Sequence, residues 1–298
     1  MDSLRSLSKG AVKRLLVGLM FFSPIGAHLC AQESQWRVNF QKGAQSVGSS
    51  AVTVTAADGP ILVAVALHGA DFSTISVLLD GKPVPAKLAG YDAVSRLCFF
   101  KPVKADDVPA AAWSSAAPGG VGTRFTVGRG NGTQTAVLRG WVKSLRGKVL
   151  PLALLRVEVG GRTPAPGTPL IGADGKVAAI VFQKEADGIY AIPAEAVHRV
   201  LKDITVSGRL VRGWLGVSLL VEDQTPRITR VWPGSPAADA GIREQDLIVQ
   251  IGRRPVGDYA DVANAFFYLV PGEPVDLSVM RGARELRFTL TPTAERPK

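Results

Sequence analysis

Few side chains in this sequence could attack a substrate, shuttle a proton or hold a metal. Of its 3 histidines, His28 lies in the N-terminal apolar stretch, which leaves His68 and His198. The 2 cysteines are Cys30 and Cys98, and no serine occurs between Ser144 and Ser207. No group of His, Cys, Asp and Glu has the spacing of a metal site, no Walker-type loop is present, and no carboxylates pair in helical register. The sequence therefore implies no metal and no cofactor. Gly128-Arg129-Gly130-Asn131-Gly132 lies between strand-like runs and reads as a hairpin turn rather than a phosphate cradle. Thr168 has a hydroxyl but no visible base to activate it. Recognition chemistry is better represented, at Arg212-Gly213-Trp214-Leu215-Gly216-Val217. Gly213 and Gly216 bracket a tight turn whose backbone N–H groups can converge on a carboxylate. The strand that follows, Val217 to Leu220, can offer an unpaired edge to a peptide. Val262, Phe266 and Leu269 share one helical face, which reads either as core or as the wall of an apolar pocket.

These groups need a frame, and 298 residues are enough for two domains. With 46% hydrophobic residues, 32 Gly and 20 Pro, the chain is predicted to be turn-rich and core-forming rather than disordered. Ala51–Thr55, Ile61–Val65, Ile75–Leu79 and Arg124–Val127 have strand length. Asp58-Gly59, Asp80-Gly81, Asn131-Gly132 and Asp174-Gly175 supply turns, a pattern that points to antiparallel sheets closed into barrels. Pro193 opens a predicted helix over Ala194–Lys202 with a Val197, Val200 and Leu201 stripe, and Ser207-Gly208 breaks the chain. A second pattern starts at Arg209, with a helix near Asp258–Leu269 and closing strands at Val275–Met280 and Leu286–Leu290. Gly234-Ser235-Pro236-Ala237 and Ala240-Gly241 read as turn and capping residues. The Pro-rich end from Thr291 is expected to fray.

The formal charge is +10, with Arg5, Lys9, Lys13 and Arg14 near the N-terminus. No run of five like charges and no basic cluster interleaved with aromatics occurs, which argues against nucleic acid. The basic surface reads as a solubility feature, or as one that meets an anionic surface peripherally. Residues 1–31 join a basic stretch to Leu15-Leu16-Val17-Gly18-Leu19-Met20-Phe21-Phe22 and small residues ending at Ala31. That layout predicts a secretory signal peptide cut after Ala31, and hence a periplasmic or secreted protein. The apolar run is shorter than the roughly 20 residues of a bilayer span; an uncleaved anchor is the alternative. Beyond Ala31 only Cys98 remains, in Arg96-Leu97-Cys98-Phe99-Phe100, where it reads as a buried thiol.

"RGWLGV" (212–217), "VWPGSPAADAGIREQDLIVQIGRRPV" (231–256) and "VPGEPVDLSVMRG" (270–282) resemble a PDZ domain of the type attached to bacterial HtrA proteases. "DGPILVAVALHGA", "LDGKPVPAKLAGYDAVSRLCFFK", "GTRFTVGRGNGTQTAVLRGWVKSLRGK" and "GIYAIPAEAVHRVL" resemble the trypsin-like domain of the same family. The resemblance implies a mostly β chain, a trypsin-like double β-barrel followed by a PDZ domain. It divides into a signal peptide (1–31), a degenerate protease domain (32–205), the PDZ domain (206–292) and a tail (293–298).

Carried over by that resemblance, the general-base histidine falls at Ala66, the orienting aspartate at Arg96 and the nucleophilic serine at Pro166. The oxyanion hole would draw N–H groups from 164 and 166, and both are prolines, which have none. His68 lies two residues past its slot, Asp92 marks a turn, and His198 is expected to face solvent. The implied protein is a pseudoprotease, not an enzyme. Gly213, Trp214, Leu215, Gly216, Val217, Val262, Phe266 and Leu269 would bind polypeptide C-termini, exposed strands or unfolded envelope proteins, as an adaptor, scaffold or chaperone-like factor. Two alternatives stay open: an active endopeptidase with unrecognised catalytic residues, and a structural subunit of an active homologue. Relatives trimerise through the barrel, but the aromatic N-terminal segment here is thin (Trp36, Phe40), which leaves oligomeric state open.

Overall fold

A computed structural model describes residues 35–103, 110–128, 134–220 and 225–294. The segment read as a signal peptide, the Asn131-Gly132 turn and residues 295–298 lie outside the described residues. No helix among the described residues is long and apolar enough to cross a membrane.

The first lobe is an antiparallel sheet of β1 (Trp36–Lys42), β2 (Gln45–Ala56), β3 (Gly59–Val65), β4 (Asp71–Leu79), β5 (Lys82–Pro83), β6 (Ala86–Tyr91) and β7 (Leu97–Pro102), ordered β5-β4-β1-β2-β3-β7-β6. Asp80 (φ 49°) and Gly81 (φ 80°) form the β4–β5 turn, with the two positive φ values that a tight hairpin needs. Side-chain alternation along β3 sorts the core. Leu62, Ala64 and Ala66 pack inside this lobe with Val38, Phe40 and Cys98, whereas Ile61, Val63 and Val65 face the second lobe. Trp36 and Phe40 are therefore buried within their own lobe.

The second lobe is a closed barrel of β8 (Arg124–Val127), β9 (Gln134–Leu145), β10 (Lys148–Val159), β11 (Pro169–Ile171), β12 (Val177–Glu185) and β13 (Gly188–Pro193). It leads into α1 (Ala194–Ser207), longer than the predicted Ala194–Lys202. Nothing before Gly208 stops the helix: Ile204 adds a fourth apolar contact after Val197, Val200 and Leu201. Gly208 (φ 68°) then caps it, its N–H on the Ile204 carbonyl at 2.9 Å.

The C-terminal domain holds β14 (Val217–Leu219) paired with β15 (Ile228–Val231), then α2 (Pro236–Asp239), β16 (Leu247–Ile251), β17 (Arg254–Pro255), α3 (Tyr259–Phe267), β18 (Val275–Arg281) and β19 (Arg284–Leu290). Ser235 caps α2 by accepting from the Ala238 N–H at 3.1 Å. α3 is shorter than predicted: the Asp258 side chain caps its start and Tyr268 ends it, so Leu269 lies just beyond the helix. The fraying expected from Thr291 is corrected as far as Thr293. Trp214 and Thr293 exchange backbone bonds at 2.7 and 3.0 Å, and Pro292 O accepts from the Gly272 N–H at 2.9 Å.

The C-terminal domain is docked on the barrel through α3. Val262 and Ala265 belong to its own core, while Phe267 packs in the apolar cluster that joins the two lobes and α1. Asn264 Oδ1 accepts from the Ala153 N–H on β10 at 2.9 Å, and Lys143 on β9 pairs with Asp261 at 2.5 Å. The buried Arg199 guanidinium donates to Asp203 Oδ2 (2.6 Å), the Val211 carbonyl (2.8 Å) and the Leu269 carbonyl (2.7 Å). Asp203 Oδ2 also accepts from the Val211 N–H at 2.8 Å, which ties the linker to the end of α1.

Candidate functional site

The three positions where the resemblance implies reaction chemistry lie in one neighbourhood. The Ala66 N–H donates to the Arg96 carbonyl at 2.8 Å. One residue earlier, the Val65 N–H donates to Ser49 Oγ at 3.2 Å, and Ser49 Oγ in turn donates to the Pro166 carbonyl at 3.0 Å. The Ser50 N–H reaches the same carbonyl at 2.8 Å. Gly167 (φ +77°) lets this loop approach β2, because a Cβ there would strike the Ser50 carbonyl.

What stands at those positions is apolar or cationic. Ala66 is fully buried in the first-lobe core. Arg96 holds a positive φ of 57° and stacks its guanidinium 3.8 Å from the Phe182 ring centroid, donating to Gln183 Oε1. Burial lowers its pKa, against the raising influence of Tyr91 and Glu185. Around the prolines, the N–H groups of Gly167 and Thr168 are already bonded to the Val181 carbonyl (2.7 Å) and the Ala165 carbonyl (3.2 Å).

Thr168 lies 3.2 Å from another hydroxyl, Ser50 Oγ, rather than from a base. Both residues line a cleft of about 430 Å³ whose charged members are Arg37 and Asp80. His68 is exposed. Asp92 Oδ2 holds its turn, accepting from the Ser95 N–H and hydroxyl at 2.8 and 2.6 Å, and its Oδ1 lies 4.0 Å from the Arg212 guanidinium. His198 faces solvent with its ring edge-on to Trp113, centroids 5.8 Å apart, and partial burial lowers its pKa. Cys98 is buried with its thiol on the Ala64 carbonyl at 3.3 Å, and desolvation pushes its pKa up.

The recognition residues assemble around β14. This strand pairs with β15 on one side, and its other edge carries no strand among the described residues. Val217 and Leu219 pack toward the domain core with Phe266, while Leu215, Val262 and Leu269 are buried beneath. Two corrections narrow the carboxylate loop. The Trp214 N–H is bonded to Thr293, which leaves the N–H groups of Leu215, Gly216 and Val217 as the candidate nest. Gly213 acts through close packing, since a Cβ there would meet Leu269 Cβ at 2.7 Å and Pro292 Cβ at 3.0 Å. Gly216 (φ +83°) is confined too, by the Ser235 side chain. Ser49, Arg199 and Asn264 escaped sequence reasoning. Only the Arg199–Asp203 spacing, four residues apart on a helix, was a signal for one of them.

A two-lobed antiparallel β unit followed by this strand-edge module is a trypsin-like protease fold joined to a PDZ domain, and residues 213–291 match the PDZ domain family. Over 267 residues the chain is 29% identical to "Probable periplasmic serine endoprotease DegP-like" of Hahella chejuensis, covering 82% of this chain and 56% of that protein. It is 28% identical over 269 residues to the protein of the same name from Pseudomonas fulva, covering 82% and 55%. The fold superposes on the HtrA-type protease AlgW with tripeptide at a TM-score of 0.60 and 22% identity, over 90% of this chain and 96% of that one. A serine endoprotease from Yersinia pestis gives 0.54 at 20% identity, over 90% and 96%. The chain is a homologue of the HtrA/DegP serine proteases that carry a PDZ domain. It spans about half the length of the curated relatives it matches.

Proposed function

We propose that this chain is a PDZ-bearing pseudoprotease of the periplasm, which recognises polypeptide C-termini or exposed strands without cutting them. One observation supports the reading: hydrogen bonds through the backbone and Ser49 draw together Ala66, Arg96 and Pro166, the positions that the resemblance implies for base, orienter and nucleophile. Acyl transfer needs an activated nucleophile and N–H donors aimed at the developing oxyanion. At the positions that the resemblance implies, 164 and 166, prolines stand for the nucleophile and for both donors, and proline has no N–H. Recognition has what it needs at β14: an open strand edge, a short loop of N–H groups and an apolar wall at Phe266. Periplasmic residence follows the relatives' names.

The test is twofold. The purified chain should leave casein uncut and remain unlabelled by a fluorophosphonate reagent. It should also bind peptides with a free C-terminal carboxylate and lose them on C-terminal amidation. Labelling at any barrel residue would overturn the pseudoprotease half, and equal binding of amidated peptide would overturn the carboxylate half. The rival reading, an active endopeptidase, draws on the relatives' names as serine endoproteases. It requires casein cleavage that disappears in Thr168→Ala or His68→Ala.

A further inference from the structure

Among the described residues, four arginines lie over aromatic rings, and three of them also hold a side-chain acceptor. Arg96 over Phe182 has Gln183, Arg254 over Tyr268 has Glu195, and Arg281 over Phe288 has Asp246. Arg230 is the exception. Its guanidinium lies 3.6 Å from the Trp232 ring centroid, is exposed, and meets no side-chain acceptor among the described residues.

Its place in the sheet says what could meet it. Ser218 on β14 pairs with Arg230 on β15, and Trp232 Nε1 donates to Ser218 Oγ at 3.2 Å, so the indole runs from the arginine to the strand edge. The Trp232 N–H bonds the Gly216 carbonyl at 2.9 Å. By the two-residue alternation of an antiparallel ladder, Ser218 turns its backbone groups toward β15, as Gly216 does its carbonyl alone, and Val217 turns its own to the open edge. A peptide added antiparallel, with its terminal carboxylate on the N–H groups of Leu215 to Val217, has its last residue opposite Val217. Its penultimate residue then falls opposite Ser218. Directly opposed residues project to the same face, so that side chain shares the face of Ser218, Trp232 and Arg230. Two strand spacings, about 10 Å, separate its backbone from that of Arg230, within the combined reach of extended Arg and Glu side chains.

We propose that Arg230, stacked on Trp232 beside Ser218, selects a carboxylate side chain at the penultimate position of a C-terminal peptide. This rests on the groove reading above and adds the ligand's chemistry to it.

The test is titration of the full chain, at low ionic strength, with synthetic peptides ending in Ala-X-Val and a free carboxylate. The expected order is X = Glu tightest, then Gln, then Lys, with Glu favoured over Gln by roughly two- to fivefold, as for a solvent-exposed ion pair. Added salt should shrink that ratio. Arg230→Gln should erase it while leaving the affinity for the Gln peptide unchanged. Equal affinities for Glu and Gln, or a preference that survives Arg230→Gln, overturns the assignment. If the Gln peptide binds and needs its terminal carboxylate, such a failure touches Arg230 alone. If none of the peptides binds, the groove reading falls and takes this assignment with it.

Discussion

The Ala66 N–H and the Arg96 carbonyl are joined at 2.8 Å, so the two positions that the resemblance implies for a general base and its orienting partner are held together through their backbones. Ala66 is fully buried in the first-lobe core, where an imidazole would add several heavy atoms. Ala66→His is expected to destabilise the chain by about 1–3 kcal/mol through overpacking, measured by urea denaturation. A triple Ala66→His, Arg96→Asp, Pro166→Ser variant should still fail to cleave casein, because Pro164 continues to lack its N–H.

Ser49 is fully buried, and its hydroxyl links the Val65 N–H to the Pro166 carbonyl. Ser49→Ala strands that N–H, at a cost of about 1–3 kcal/mol. Thermal unfolding should show the loss, while peptide binding at β14 stays unchanged.

Arg199 and Asp203 form a pair whose side chains are only 5% and 10% exposed. Arg199→Met leaves Asp203 as a buried charge without its cation, a change worth about 3–5 kcal/mol. It also removes the donor to the Leu269 carbonyl. Limited proteolysis should then cut between Gly208 and Gly213 faster than in the parent chain.

Burial opposes the charge on Asp246, but two bonds from Arg281 (2.8 and 2.7 Å) and the Arg243 N–H (2.9 Å) outweigh it and hold the pKa below the ordinary 3.8. A lowered folded-state pKa means stability that is present above the unfolded value and lost as pH falls through the folded one. The PDZ domain should therefore weaken below about pH 4. Asp246→Asn should reduce stability at pH 7 and flatten that acid limb, read from denaturation midpoints across pH.

Local rules made much of this molecule legible. Strands such as Arg124–Val127, the Asp80-Gly81 turn and the Ser235 cap each follow from a few adjacent residues, whereas the turn expected at Asp58-Gly59 lies one residue earlier, at Ala57-Asp58, with Gly59 opening β3. Boundaries were less legible where the deciding partner is remote. α1 extends past Lys202 because Ile204 finds the interlobe core, and Thr293 is held by Trp214, far away in sequence. The Trp214 N–H left the expected nest for the same reason. Ser49 and Asn264 are ordinary polar residues in the sequence, and only the third dimension brings them to Pro166 and Ala153.

The short helix α3 serves two interiors at once: Val262 and Ala265 fill the PDZ core, and Phe267 fills the cluster between the lobes. Severing the chain at the linker would leave one fragment missing a plug and the other displaying a bare phenyl ring. The modular unit visible in comparisons of sequence is therefore smaller than the unit that melts. Excised PDZ fragments should self-associate, and heating the whole protein should give one transition spanning both domains.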